Sequence, residues 1–416
     1  MQMDLSTAEA AFLAVLRAGI GNGPMPELSD LDTREWAALL KLADQQNLLP
    51  MVYHLLDAHH SLAHFPAHDR WAVKAMKQAA IQQRSTHAFL SLYRDLEEAG
   101  VRVLVFKGLV CRQLYGALEL LRLSGDEDFF IEREDYPIAR RILSRHGFSP
   151  ILPHADQFDL AVTKEIGFRD PKTHTIVEVH FSFTGADSQR LACMQSFLAH
   201  APQRAAEMDF HGRRIRTLCP SDHFLLLVFH ACNHFHGYGI GLRHLMDLML
   251  FYRRYQEQIH WDQVEQAVRA AHCEGLLGDL FRLGREVLGF QEAPVSPAPM
   301  SPALLRDLLN GGVFGFAGLG PEGLIYSSLL YAARALPPQT RQRPARIVCK
   351  ALFPPASHFL SVCPAVQKHP LLLPLLWLRR WLRFLLRALT AALFHRRAFP
   401  GAVQNHLALL RGYHFI

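Results

Sequence analysis

Two aspartates one residue apart, Asp126 and Asp128, open a short β-prone run, Asp126-Glu127-Asp128-Phe129-Phe130-Ile131. Alternate side chains of a strand share a face, so both carboxylates project together while Phe129 and Ile131 take the opposite, buried side. Such neighbours repel one another, and one of them holds a proton unless a cation compensates. An oxygen donor set of this kind suits Mg²⁺ (or Mn²⁺), which keeps several waters and binds through one or two carboxylates plus substrate phosphates. In a later extended run, Ile176, Glu178 and His180 alternate with Val177, Val179 and Phe181. Glu178 is a third carboxylate if the two strands are neighbours. Upstream, Lys107-Gly108 sits where a strand turns into a helix. Glycine there lets backbone approach a phosphate, and the helix start offers free N–H groups and positive potential. Arg122 and Ser124 precede the aspartates in a loop, where an arginine can neutralise triphosphate charge.

The elements that must position these groups are legible as patterns. Residues 8–99 read as helices, with apolar spacings of three and four over Glu35–Ala43 and Trp71–Met76, and Asp32 or Thr33 as a cap for the first. Gly100 ends a helix and Val101–Lys107 follows as a strand. Gly108 opens a helical stretch to about Leu118. After the aspartate strand comes a helix over Tyr136–His146 closed by Gly147. Strands near Glu165–Arg169 and Thr175–Phe183 flank Asp170-Pro171-Lys172-Thr173-His174, a hairpin turn. Past Pro220 the pattern is helical, with a glycine-rich break at Gly237–Gly241 and a further helix over Leu242–Tyr255, where Arg243 and Asp247 stand one turn apart as an expected pair. The division is a helical region 1–99, an α/β core 100–215, a helical region 216–290, a proline-rich linker 291–302 and a helical, basic region 303–416.

His230 and His234 lie four apart on a helix, a spacing that can share a zinc ion. With 24 histidines in the chain such pairs arise by chance, and hydrogen-bonded structural histidines are the plainer reading.

Charge is distributed unevenly. Residues 323–416 hold thirteen Lys and Arg and no Asp or Glu, so the net charge of +6 is a body of −7 and a tail of +13. The tail wants anions; the acidic body argues against nucleic acid lying across the protein. Within the tail, Pro374–Phe394 carries apolar residues around Arg379, Arg380, Arg383 and Arg387. It is long enough to span a bilayer, at roughly 30 Å. Four mid-segment arginines would cost about 2.5–3.5 kcal/mol each at the centre, which disfavours spanning. A helix in the headgroup plane, through 374–397, with tryptophans at the boundary and arginines on lipid phosphate, fits better; packing on the protein's own core is the plainer alternative. Seven scattered cysteines without a C-x-x-C pair, and an N-terminus without a basic n-region, lead to the expectation of a cytoplasmic protein, peripheral at the inner membrane if the tail binds lipid.

Taken together, Val103–Gly108, Leu114-Tyr115, Arg122, Ser124, Asp126–Ile131 and Val177–His180 resemble the polymerase-β-type nucleotidyltransferase superfamily, within it the branch of uncharacterised bacterial minimal nucleotidyltransferases. Leu218–His223, His230–His234 and Leu242–Leu248 resemble that branch's helical region. The resemblance implies an α+β fold, a small polymerase-β-like core with a mixed sheet flanked by helical regions. It implies transfer of a nucleoside monophosphate from an NTP to a small-molecule or protein acceptor. Asp126, Asp128 and Glu178 would be catalytic and hold Mg²⁺ (or Mn²⁺), and Lys107, Gly108, Arg122, Ser124 and His180 would bind the nucleotide. Two positions depart from the superfamily pattern: Leu109 replaces a serine, and Glu127 stands where an apolar residue is usual. They favour the alternative, a non-catalytic binding or scaffold protein of the same fold at the membrane surface.

Overall fold

The computed structural model describes residues 5–21, 23–65, 67–152, 154–185, 188–237, 239–294, 301–312, 344–359, 363, 366, 369–394 and 399–415. Residues 295–300 of the proline-rich stretch, together with Arg396, Arg397 and the side chain of Arg387, lie outside the described residues. The chain divides into two compact units. One comprises Met1–Pro150, Lys164–Phe229 and Leu242–Pro302; the other comprises Ile151–Thr163, His230–Gly241 and Ala303–Ile416.

The first unit is built on a seven-stranded mixed sheet flanked by helices. Helices α1 (Thr7–Ile20), α2 (Thr33–Gln45), α3 (Leu49–Ala58) and α4 (Asp69–Glu98) precede it. Both α1 and α2 begin with capping boxes, Ser6 with Glu9 and Asp32 with Glu35, each satisfying amides that the first turn leaves free. Gly100, at φ +83°, turns the chain out of α4 towards β1 (Leu104–Phe106). Then follow α5 (Gly108–Gln113), β2 (Glu127–Phe130), α6 (Tyr136–Arg145), β3 (Ser149–Pro150), β4 (Glu165–Arg169), β5 (Ile176–His180), α7 (Gln189–Leu198), β6 (Ala206–Phe210) and β7 (Arg213–Thr217). The strand order is β3-β4-β5-β2-β1-β7-β6. Helix α5 is shorter than its apolar pattern suggests, giving way to a 3₁₀ turn over Gly116–Leu121 that starts at a left-handed glycine (φ +56°).

The Asp170–His174 hairpin forms as its composition requires. The Asp170 carboxylate accepts the Lys172 amide at 2.9 Å and the Thr173 hydroxyl at 2.5 Å, and His174 takes φ +62°. The β6–β7 hairpin, turning at His211-Gly212 with both φ positive, is a finding of the structure. Its strands, AEMDF and RRIRT, are largely polar on their open face and hide the period-2 signal. Yet β7 pairs parallel with β1 through Val105 and Thr217, extending the sheet on the side away from the aspartates.

Beyond the sheet, α8 (Pro220–Gly237), α9 (Leu242–Tyr255), α10 (Trp261–Ala270) and α11 (Glu274–Glu286) follow. Phe224 gathers Phe251, Tyr252, Trp261 and Phe281 into an aromatic core. In the second unit lie α12 (Pro302–Gly311), α13 (Pro344–Leu352), α14 (Leu373–Phe394) and α15 (Phe399–Gly412). There His406 Nδ1 meets Asp307 Oδ2 at 2.9 Å, both fully buried, with Phe235 against the imidazole. Among the described residues no helix is long and apolar enough to cross a membrane.

Candidate active site

The register of β2 on β5 sets the site. The two strands run parallel with Asp128 opposite Glu178 and Phe130 opposite His180, while β1 runs antiparallel on the other side with Phe106 opposite Asp128. Paired residues share a face, so Asp128, Glu178 and His180 stand together on one side of the sheet. One ligand atom from each lies within 4.8 Å of the others, the only such cluster of His, Cys, Asp or Glu among the described residues. Asp126 immediately precedes β2 and is half-buried beside them. Glu165, on β4 opposite His180, reaches the imidazole Nδ1 at 3.3 Å. Aromatic rings wall this face: Phe106 meets the His180 ring edge-on at 5.0 Å, and Phe183 packs on Phe106 and Phe130.

Asp128 is the hub. Its Oδ1 accepts a hydrogen bond from Lys107 Nζ at 2.7 Å and lies 2.8 Å from His180 Nε2. Burial alone would raise the Asp128 pKa, but the Lys107 ammonium and His180 hold it well below the usual carboxylate range. The reciprocal effect is that Lys107 and His180 are both raised, against the burial that would lower them. Asp126 has no such close cation. Burial, and then the charges of Asp128 and Glu178, push it up to about 7. Asp128, Glu178 and His180 are a group that could hold a metal ion.

Lys107 is placed by an unusual backbone. It ends β1 at φ +55° and caps α5, its N–H donating to His223 Nε2 at 3.1 Å. Burial, then the Lys107 charge, lowers the His223 pKa to about 3, which keeps that nitrogen an acceptor. Gly108 follows for a steric reason: a Cβ there would collide with the Glu127 carboxylate and lie 3.1 Å from the Asp126 carbonyl.

The structure accounts for Glu127 in a way the sequence did not. The side chain faces the buried side with Phe129, 1% exposed, and pairs with Arg112 of α5, itself fully buried. Arg112 also donates to Thr86 of α4 and, at 3.1 Å, to Ser124.

Arg122 and Ser124 are drawn into the same scaffold. Arg122 is buried, pairs with Asp247 of α9 and donates to Ser124 Oγ at 2.6 Å; the Ser124 amide donates to Gln82 of α4 at 2.6 Å. Tyr115 also donates to Asp247, at 2.8 Å. The expected Arg243–Asp247 pair is therefore corrected: Asp247 serves the loop before β2, and Arg243 donates to the Leu123 carbonyl at 2.7 Å. Arg122, arriving from the loop before β2, takes the carboxylate instead. Arg243 also lies within electrostatic reach of Asp126, helping to hold its proton affinity down.

Three residues of the site were not singled out for it in the sequence. Glu165 lies one strand beyond β5, His223 enters only within the Leu218–His223 segment, and Arg243 only as the expected partner of Asp247. The pairing of elements distant in sequence brings them to the aspartates. The His230 and His234 rings lie against one another, tilted by 53° with centroids 4.3 Å apart.

No curated protein and no solved structure matches the chain. The model of an uncharacterised nucleotidyltransferase family matches residues 32–289, which include every residue of this site. A carboxylate cluster on paired strands, beside a lysine–glycine turn into a helix, is thus found within the matched segment, and the chain belongs to the uncharacterised nucleotidyltransferase family.

Proposed function

We propose that the protein transfers a nucleoside monophosphate from an NTP to a small-molecule or protein acceptor. The observation that carries this reading is the convergence of Asp128, Glu178 and His180 within 4.8 Å, next to Asp126, in a member of this family. The donor chemistry fits a hard divalent cation: Asp126, Asp128 and Glu178 would hold Mg²⁺ or Mn²⁺, and His180 orients the Asp128 carboxylate from behind. Bound there, the cation supplies charge neutralisation for the triphosphate and polarises the phosphorus being attacked. The acceptor oxygen forms a bond to the α-phosphorus, and the bond from that phosphorus to the bridging oxygen breaks, releasing pyrophosphate. Glu178, half-buried at the rim, takes the acceptor's proton. Lys107 exchanges its contact with Asp128 for the β- and γ-phosphates, and the amides at Gly108 approach them. Arg122 and Ser124 act one layer behind, fixing the loop that delivers the aspartates.

Glu127, one of the two departures that favoured a non-catalytic scaffold, is paired with Arg112, so Leu109 in place of the serine is the departure that still favours that alternative. We also infer that the basic C-terminal region partners an anionic membrane surface, on its charge and on the apolar residues within it.

The test incubates purified protein with each NTP labelled at the α-phosphate, Mg²⁺ or Mn²⁺, and a cell extract, and follows the label by mass spectrometry. Label should leave the NTP for a new species with wild type and stay with D128N. Melting curves with Mg²⁺ and each NTP provide a second readout. Absence of both transfer and nucleotide-dependent stabilisation with any NTP would reject the reading.

A further inference from the structure

Helix α14 combines a fixed side and an open side. Trp377 Nε1 donates to the Pro354 carbonyl at 2.9 Å and Trp381 Nε1 to the Leu352 carbonyl at 2.8 Å. Both indoles meet the Phe353 ring edge-on, at 5.1 and 5.0 Å, and Arg380 Nε donates to the Ala351 carbonyl. The tryptophans therefore tie α14 to the end of α13. Five of the leucines are not packed in the core. Leu375, Leu378, Leu382, Leu385 and Leu386 are 63, 49, 52, 57 and 63% exposed. At 100° per residue these five occupy one arc of about 100°, bordered on one side by Trp381 and centred about 110° from the two tryptophans. Arg379 and Arg383, both exposed, follow along one edge of that arc.

We propose that this leucine face is a docking surface for an anionic phospholipid bilayer, α14 lying in the plane of the interface with its leucines in the acyl boundary and Arg379 and Arg383 on lipid phosphates. The assignment rests on the inference that the basic region partners a membrane, and adds which face does so and in what orientation. Charge selects the occupant. With thirteen Lys and Arg and no acidic residue over 323–416, two copies of the segment would repel across a shared leucine seam. A bilayer with anionic headgroups offers an apolar layer for the leucines and phosphates for the arginines at the depth each requires. The arginines along the helix oppose insertion across the bilayer.

The experiment is flotation of the full chain with phosphatidylcholine vesicles, with and without phosphatidylglycerol, alongside light scattering. Wild type should float with the anionic vesicles. L378E/L382E should float about ten-fold less, and R379E/R383E should lose the preference for phosphatidylglycerol. If wild type does not float, the membrane partnership itself falls, and this face with it. If wild type and L378E/L382E float equally, the partnership stands and the leucine face is wrong. Flotation unchanged while L378E/L382E shifts the oligomeric state would make the face a contact between copies and overturn the proposal. L382W, at a solvent-facing position that leaves the packed side intact, covers the case in which the double variant fails to fold. Its added fluorescence should be quenched by lipids brominated in the acyl chain, and no added quenching would overturn the assignment.

Discussion

Glu127 and Asp128 are adjacent in one strand, both buried, and their surroundings differ in kind. Behind the sheet, Glu127 meets a single guanidinium held by Thr86 and Ser124. In front, Asp128 shares Lys107 and His180, each of which also feels Glu178, with Glu165 on the far side of the imidazole. The rear pair is closed: one acid, one base, each tethered by the fold. The front cluster is shared: Asp128 meets two bases at once, and His180 in turn meets Asp128, Glu178 and Glu165. A buried charge that serves structure is matched one to one, whereas a charge that serves a ligand is shared among several partners.

Breaking the rear pair should have the largest effect. R112M leaves Glu127 buried without its base and should lower stability by about 3–5 kcal/mol, read by chemical denaturation, while R112M/E127L should recover most of that loss. If the single and double variants melt alike, the pair is not the closed unit described here. Next comes the front hub. D128N should keep the fold but lose the stabilisation by Mg²⁺ and NTP, about 2.7 kcal/mol at a hundred-fold excess over the dissociation constant. A wild-type melting shift in D128N would remove Asp128 from the ligand set. G108A presses a methyl group on the Glu127 carboxylate and should cost about 1–3 kcal/mol in thermal melting. Full stability in that variant would show that the turn has room to spare.

The smallest effect has the opposite sign. Asp126 is raised to about 7 in the folded protein, above the roughly 3.9 of an unfolded aspartate, so the native state binds the extra proton between these values. Stability from this group is full below about pH 4 and is lost as pH rises through about 7. D126N in chelator at pH 8 should therefore be more stable than wild type, by about 1 kcal/mol or 2–4 °C for a half-buried group. Its advantage should shrink as pH falls from about 7 and vanish near pH 4. Cation binding by wild type should weaken as pH falls through about 7, because the proton and the metal compete for Asp126. A pH-independent difference between D126N and wild type would place Asp126 outside the coupled cluster.

The chemistry-bearing segments were legible because each is local. The alternation of Asp126 with Asp128 and of Glu178 with His180 assigns faces without any knowledge of neighbours, and β2 and β5 lie within the segments read as strands. Asp32 caps α2 as its type and its spacing to Glu35 indicate. The β6–β7 hairpin escaped because its strands are polar on one face and their partner, β1, lies a hundred residues earlier. Arg243 was matched to the wrong partner because spacing along one helix says nothing about Arg122 arriving from another element. The leucines of α14 fit a core and a membrane surface equally well until their exposure is known.

By itself the sequence determined residue types, face periodicity and the turn chemistry at Gly108 and Asp170, since these depend on backbone geometry within a few residues. Only the tertiary structure decided the parallel register that sets Asp128 beside Glu178, the burial of Glu127 on Arg112, and the outward face of α14. Those are contests among partners far apart in the chain. They are settled by which pairing leaves the fewest buried charges unmatched, a quantity defined only once the elements have packed.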